Sequence, residues 1–299
     1  MPEDYRKYLL PQVVSTLANM ELRARLVVEG FIAGLHRSPY HGFSVEFAEH
    51  RPYMPGDEIR HVDWKVYGRT DRFYIKQYEE ETNLKAYLIL DTSKSMSYAS
   101  PGQMSKLEYA SYLAASLAYM MVKQQDAVGL ATFDESVRTF LPPHATRPYL
   151  KQLLLTLQQL TGGNGTAAAR SLHSVAERVR RRGLVIILSD LLDNPDEIIA
   201  AFKHFRHRKN EVIVMHILDP LERSFAFDQD ATFRDLETAE MLATQPWHIR
   251  TGYREAMGEF IERYKRECRE HHIDYVLLDT QTPFDVALIE YLSKRERVH

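Results

Sequence analysis

The sequence of 299 residues is long enough for one large or two modest domains with a substantial core. Its formal net charge of −3 argues against a protein that binds nucleic acid mainly through phosphates. The single cysteine, Cys268, excludes an intrachain disulfide and cysteine-rich zinc sites, and it fits a reducing compartment.

The N-terminus lacks the basic and apolar regions of a secretory signal, and the apolar stretches fall short of the roughly 20 residues of a membrane span. The sequence therefore predicts a soluble, cytoplasmic protein without a membrane span.

Two segments are predicted to precede the main domain and together occupy residues 1–82. Apolar residues at helical spacing between Leu9 and Leu35 predict one or two amphipathic helices that pack against the main domain. Alternating apolar residues at 43–47 and 73–75, with turn residues between them, predict a small β-rich subdomain. Its many polar residues are interpreted as an ion-pair network holding it to the rest of the protein, with a docking surface as the alternative.

Strands and helices alternate from residue 83 to residue 299, which predicts an α/β domain with a doubly wound, mainly parallel sheet. An acidic insertion interrupts it at about 220–245. Predicted strands are 84–91, 127–133, an edge strand at 137–141, 184–188, 212–218 and 275–278. Predicted helices begin near 105 and cover 149–160, 166–180, 195–206, 250–271 and 284–294.

Oxygen-bearing side chains follow the first strand of this domain. Asp91 ends the apolar run, and Ser93 and Ser95 follow at alternate positions, so their side chains can turn to one side. Ligands of open α/β sheets bind beyond the carboxyl ends of the strands. One carboxylate and two hydroxyls suit Mg²⁺ or Mn²⁺ better than Zn²⁺ or copper, although an Asp and Ser turn that caps the next helix has the same pattern.

Two more oxygen ligands are predicted to approach the same point. Asp190 ends a second buried strand, which lies beside the first if the strand order is 3-2-1-4-5-6. A glycine-rich loop brings Thr166 to a helix start between them in sequence. The predicted ligand set is Asp91, Ser93, Ser95, Thr166 and Asp190. Three neutral hydroxyls leave the ion short of ligands, so water or a partner's carboxylate would complete its shell, which favours adhesion over hydrolysis.

These five residues resemble the metal-ion-dependent adhesion site of von Willebrand factor A domains. The resemblance implies direct contact with the ion from Ser93, Ser95 and Thr166. It also implies that Asp91 and Asp190 act directly or through water.

From about residue 40 to its end, the chain resembles the "domain of unknown function 58" family. That family is typically encoded beside MoxR-type AAA+ ATPases. The resemblance implies a non-enzymatic, divalent-metal-dependent adaptor or co-chaperone that joins such an ATPase to a client protein. Gly68 departs from the alanine that often stands there. The other motifs that carry the resemblance are Gly42-x-Ser44-x-Glu46-Phe47, Arg51-x-Tyr53-x-x-Gly56-Asp57-x-x-Arg60-x-x-Asp63-Trp64, Asp219-Pro220-x-Glu222 and Ala287-Leu288-x-x-Tyr291-Leu292-x-x-Arg295.

Two other functions compete with this interpretation. A metal-free scaffold would use Asp91 and Asp190 only to cap helices. A phosphatase of the haloacid dehalogenase type would need an acid two residues after its nucleophilic Asp91, where this chain has Ser93. Pairs of histidines at 204/207 and 271/272 are interpreted as surface residues rather than zinc ligands, and the basic run at 178–182 as a solvated helix end.

Overall fold

The computed structural model describes residues 11, 19–35, 50–52, 67–69, 71–76, 84–163, 165, 167–179, 182–227, 231–234, 241–289 and 291. In chain order the elements are α1 (Met20–Leu35), β1 (His50–Pro52), β2 (Tyr74–Lys76), β3 (Lys85–Asp91), a 3-10 turn (Ser95–Ser97), α2 (Lys106–Lys123), β4 (Ala127–Phe133), β5 (Val137–His144), α3 (Arg147–Gln158), α4 (Ala168–Arg178), β6 (Leu184–Ser189), α5 (Pro195–His207), β7 (Glu211–Leu218), α6 (Pro220–Ser224), β8 (Ala231–Arg234), β9 (Met241–Thr244), α7 (Pro246–Glu270) and β10 (Asp274–Asp279).

The central sheet has the strand order β10-β7-β6-β3-β4-β5. Every pairing is parallel except that of β5, which runs antiparallel to β4. This confirms the predicted α/β class and the doubly wound, mainly parallel sheet. The strand order reverses between β3 and β6, so their carboxyl ends lie side by side, with Leu90 opposite Leu188.

Helices cover both faces of the sheet, because alternate residues of each buried strand face opposite sides. Ala86, Leu88 and Leu90 of β3 belong to a core shared with α1, α2 and α3. Tyr87 and Ile89 belong to the opposite core, shared with α4, α5 and α7. Helix α1 thus packs against the α/β sheet domain. It contributes Met20, Ala24, Val27 and Val28 to the first core.

The edge strand β5 is longer than predicted and runs through Pro142 and Pro143 to His144. Of two consecutive N–H positions one faces the open edge, and the other is accommodated at the register shift between Val128 and Leu130, where the ladder to β4 is irregular. Gly129 of β4 lies directly against this strand, where a Cβ would come within 2.6 Å of the Leu141 carbonyl oxygen. A side chain at Gly129 would therefore push the edge strand away.

The remaining predictions have mixed outcomes. The insertion at 220–245 contains α6 and the antiparallel pair β8–β9, and β1 and β2 form a second two-stranded pair. Helix α7 begins at Pro246, four residues before the predicted start, since proline is favoured in a first helical turn. Residues 284–289 are helical. The strand predicted at 43–47 lies outside the described residues.

Within the ranges described above, every helix is too short or too polar to cross a membrane.

Candidate metal centre

The loop after β3 gathers the first three predicted ligands at the carboxyl edge of the sheet. The Asp91 carboxylate accepts a hydrogen bond from the Ser93 backbone N–H at 2.8 Å. The hydroxyl oxygens of Ser93 and Ser95 lie 3.0 Å apart. Buried Met96 anchors the turn that follows. The alternate spacing thus directs two hydroxyls to one side of a buried carboxylate.

The fourth predicted ligand, Asp190, comes to the same place from β6. Its carboxylate interacts with the Ser95 hydroxyl, and only 1% of the residue is exposed. One residue earlier, Ser189 donates its hydroxyl proton to the second Asp91 oxygen at 2.6 Å. Adjacent strands therefore bring Asp91, Ser93, Ser95 and Asp190 together.

His216 of β7, the strand next to β6 in the sheet, holds the backbone at Asp190 in place. The Nε2 atom of His216 lies 2.8 Å from the Asp190 carbonyl oxygen, and its Nδ1 lies 2.6 Å from the Tyr275 hydroxyl. A carbonyl only accepts, so Nε2 donates its proton and Nδ1 accepts one from Tyr275. Burial lowers the pKa of His216 to about 4, which keeps the ring neutral. Buried Leu191 follows with a φ of 55°, a strained conformation for leucine that turns the chain out of the strand.

Lys106, at the start of α2, is a buried cation that sequence reasoning did not identify. It is fully buried, and its Nζ lies 2.8 Å from an Asp190 oxygen and 2.6 Å from a Glu222 oxygen. Glu222 also accepts the backbone N–H of Asp219 at 2.9 Å, within the capping box of α6. Asp219 in turn accepts the backbone N–H of Ser100 at 2.9 Å. Lys106 thus links the candidate centre to the start of the insertion.

The two aspartates differ in their electrostatic environment. Burial, and then the charge of Asp190, raises the pKa of Asp91 to about 7. Burial acts in the same direction on Asp190, but the charge and hydrogen bond of Lys106 hold the pKa of that carboxyl below its ordinary value. The charges of Asp190 and Glu222 overcome burial and raise the pKa of Lys106. Asp190 is therefore ionised beside a cation, whereas Asp91 forms no ion pair within the described part of the chain.

The glycine-rich loop packs closely over this site. The Gly163 N–H donates to the Thr92 carbonyl oxygen at 2.6 Å. A Cβ at Gly163 would overlap the Asp134 carboxylate, so glycine is required for this approach. Beyond the loop, the Ala168 N–H donates to an Asp193 oxygen at 3.0 Å. The fifth predicted ligand, Thr166, lies outside the described residues.

The chemistry of the four described residues fits a small, hard divalent cation. Asp91 is a buried carboxylate beside two hydroxyl oxygens, and its raised pKa reflects the cost of holding negative charge there. A cation among these oxygens would offset that cost. Oxygen ligands of this kind suit Mg²⁺ and Mn²⁺.

Sequence reasoning missed the contributions of Lys106, Ser189 and His216, because each acts through a partner distant in sequence. Lys106 and Asp190 are separated by 84 residues. One local signal was available for Lys106: a cation is unfavourable in the first turn of a helix, beside the positive end of its dipole. Lys106, directly after the N-cap Ser105, is therefore at a position where a nearby anion is favourable.

Comparisons with known proteins confirm the resemblance to the "domain of unknown function 58" family. The family described as "Protein of unknown function DUF58" matches residues 49–262. The uncharacterized protein Rv1480 of Mycobacterium tuberculosis is 25% identical over 236 residues, which cover 76% of this chain and 72% of that protein. The uncharacterized protein Mb1516 of Mycobacterium bovis matches to the same extent.

Solved structures similar to this chain include the conserved hypothetical protein BatB from Bacteroides thetaiotaomicron, with 18% identity and a TM-score of 0.48. An aerotolerance-related membrane protein from Bacteroides fragilis has 19% identity and a TM-score of 0.47. Each match covers 71% of this chain and 99% of the other chain.

Proposed function

We propose that this chain, which belongs to the DUF58 family of proteins of unknown function, is a non-enzymatic protein-interaction module that depends on a divalent metal ion. The observation that carries this proposal is the convergence of two buried carboxylates and two hydroxyls where the strand order reverses. Ligand sites of doubly wound sheets lie at this point.

Asp91, Ser93 and Ser95 would hold Mg²⁺ or Mn²⁺ directly, and Asp190 would act through the Ser95 hydroxyl or through water. The bound ion would supply an electrophilic position for one more oxygen ligand. Lys106 already offsets the charge of Asp190, so this chain presents little net negative charge to an ion. Affinity for the free ion should therefore be weak, and an acidic side chain from a partner should strengthen binding.

The proposed partner is a MoxR-type AAA+ ATPase together with its client protein, and this part of the proposal comes from the family resemblance. An aspartate or glutamate of the partner would complete the shell of the ion. The exposed Leu192, two residues after Asp190, would add an apolar contact at the rim.

The test is capture of the purified ATPase by the full chain in Mg²⁺ and in EDTA. Ser93→Ala removes one hydroxyl of the candidate centre and should weaken capture in Mg²⁺ to the level seen in EDTA. The matched control is Ser136→Ala, which removes an exposed hydroxyl in the turn between β4 and β5 and should behave as the wild type. Thr166→Ala should weaken capture as Ser93→Ala does if Thr166 is a ligand.

Equal capture by wild type and Ser93→Ala, with and without EDTA, would show that the interaction uses another surface. The segment at 36–82 is the first alternative to examine.

The non-enzymatic part of the proposal has its own test. Phosphate esters and nucleoside triphosphates should be hydrolysed no faster by the wild type than by Asp91→Asn, since Ser93 is too weak an acid to protonate a leaving group. A hydrolytic activity that disappears in Asp91→Asn would support the phosphatase interpretation instead.

A metal-free scaffold is the second candidate function, and the ion pair of Lys106 with Asp190 favours it. In that case Lys106 and Ser189 satisfy the buried carboxylates without an ion. Calorimetry with Mn²⁺ distinguishes the two. A metal-dependent module gives binding that Ser93→Ala weakens and Ser136→Ala leaves unchanged, whereas a metal-free scaffold gives none at this site.

A further inference from the structure

Two imidazole rings from neighbouring helices meet away from the candidate metal centre. His173 of α4 and His204 of α5 place their Nδ1 atoms 3.1 Å apart, a hydrogen-bond distance at which one ring donates its Nδ1 proton and the other accepts it, with ring centroids 5.4 Å apart. Both side chains are half-buried between the helices. The sequence pairs His204 with His207, one turn later on the same helix, whereas the fold pairs it with His173.

The separation of the two Nδ1 atoms is close to that of two nitrogen ligands on one ion. Metal–nitrogen bonds of about 2.0–2.1 Å place two tetrahedral ligands about 3.3–3.4 Å apart, and two adjacent square-planar ligands about 2.8–3.0 Å apart. The observed 3.1 Å lies between these values. A small rotation of either ring would therefore let both nitrogens face one ion.

The protonation of His204 favours ligation. Burial lowers the pKa of His204, and the neighbouring His173, Arg208 and His207 lower it further, while Glu177 acts in the opposite direction. Metal ligation requires neutral imidazoles. An ion that bound both Nδ1 atoms would displace the proton of their hydrogen bond, and the ring that loses it would take up a proton from water on Nε2 instead.

We propose that His173 and His204 form a binding site for a divalent transition-metal ion of the kind that prefers imidazole, such as Zn²⁺. This site differs in chemistry from the oxygen-lined centre at Asp91 and does not depend on the proposed function. Water completes the shell. Glu177, one turn after His173 on α4, lies on the same side of that helix and adds favourable charge.

An ion at this site would fasten α4 to α5. Each helix follows a loop that leads away from the candidate metal centre: the glycine-rich loop, whose Gly163 contacts Thr92, precedes α4, and the loop that begins at Asp190 precedes α5. The contact between Ala168 and Asp193 already joins the starts of the two helices. A second link farther along would limit their relative movement and so hold both loops in place.

The chain supplies a matched control for the test. Glu267, Glu270 and His271, at the end of α7, have potential ligand atoms within 4.8 Å of one another. This group is mainly acidic, and its Glu267 also lies 4.0 Å from the Lys203 ammonium. It would attract Zn²⁺ weakly through one partly buried carboxylate, one exposed carboxylate and one imidazole.

The experiment is titration of the full chain with Zn²⁺ by calorimetry, in excess Mg²⁺ to occupy oxygen-rich sites. His173→Ala and His204→Ala should each weaken the tightest Zn²⁺ site by about tenfold or more. His271→Ala and Asp91→Asn should leave that site unchanged. Zn²⁺ should also raise the melting temperature of the wild type and of His271→Ala, but not of the other two histidine variants.

Three results would overturn the proposal. These are an unchanged Zn²⁺ affinity in both His173→Ala and His204→Ala, a loss of the site in His271→Ala, or a loss of the site in Asp91→Asn. Circular dichroism without metal checks that each variant is folded. If an alanine variant does not fold, glutamine at the same position keeps a polar side chain but lacks the imidazole, and the same outcomes apply.

Discussion

Replacing Lys106 with methionine tests how the buried charges of the candidate centre are balanced. Methionine keeps an unbranched chain of similar length but removes the ammonium that contacts Asp190 at 2.8 Å and Glu222 at 2.6 Å. At 2.8 Å and an effective dielectric constant of 20, the gross attraction to one carboxylate is about 6 kcal/mol. The cost of burying both charges offsets part of it. Removing one partner of a buried pair typically costs about 3–5 kcal/mol, and we expect a loss in this range.

Urea denaturation at pH 7 measures this loss. The control is Lys151→Met on the exposed side of α3, which should change the free energy of unfolding by no more than about 0.5 kcal/mol. In Lys106→Met the Asp190 carboxyl loses its cation, so its pKa in the folded state should rise above the unfolded value. The deficit relative to wild type should then grow as the pH rises from about 4 towards 7. A loss as small as that of the control, with no pH dependence, would show that Lys106 does not stabilise Asp190.

Three further predictions follow from packing and burial. Gly163→Ala should destabilise the protein by about 1–3 kcal/mol, because the added Cβ overlaps the Asp134 carboxylate. The control Gly252→Ala, in open space on α7, should not destabilise it. Equal unfolding midpoints of the two variants would contradict this prediction. Burial raises the pKa of Tyr109 well above its usual value and that of Cys268 to about 12. The stability that these groups contribute is therefore complete below about pH 8.5 and is lost as the pH rises towards 12. A urea midpoint that stays unchanged between about pH 8 and pH 10 would refute this. The Cys268 thiol, with 1% of the residue exposed, should react with Ellman's reagent only after unfolding, and rapid reaction of the native protein would contradict its burial.

The sheet and the convergence of Asp91, Ser93, Ser95 and Asp190 were predictable because they follow from local patterns. The apolar runs that end at Asp91 and Asp190 predict buried strands, and the doubly wound order places these strands side by side. The spacing of Ser93 and Ser95 then determines which side chains lie at the edge. Local periodicity and one topological rule were sufficient for this part of the site.

The balance of charge was not predictable in the same way. Lys106 joins the start of α2 to the end of β6 and to the start of α6. The hydrophobic periodicity of a segment gives no information about contacts of this kind. The His173–His204 contact likewise depends on how α4 lies against α5. Sequence patterns define which face of a helix is buried. They do not define which polar residues of two helices meet at their boundary.

The two prolines of β5 affect how this protein meets other chains. A sheet edge offers N–H and carbonyl groups that a strand of another molecule can pair with, which is one route to aggregation. Successive N–H groups of a strand point to opposite sides, so the consecutive Pro142 and Pro143 leave the open side of this edge without one donor near its end. A strand of another molecule that paired with Val137–Leu141 would find no N–H donor when it reached these prolines. Strand pairing along this edge is therefore hindered beyond Leu141, which lowers the tendency of the protein to associate through β5.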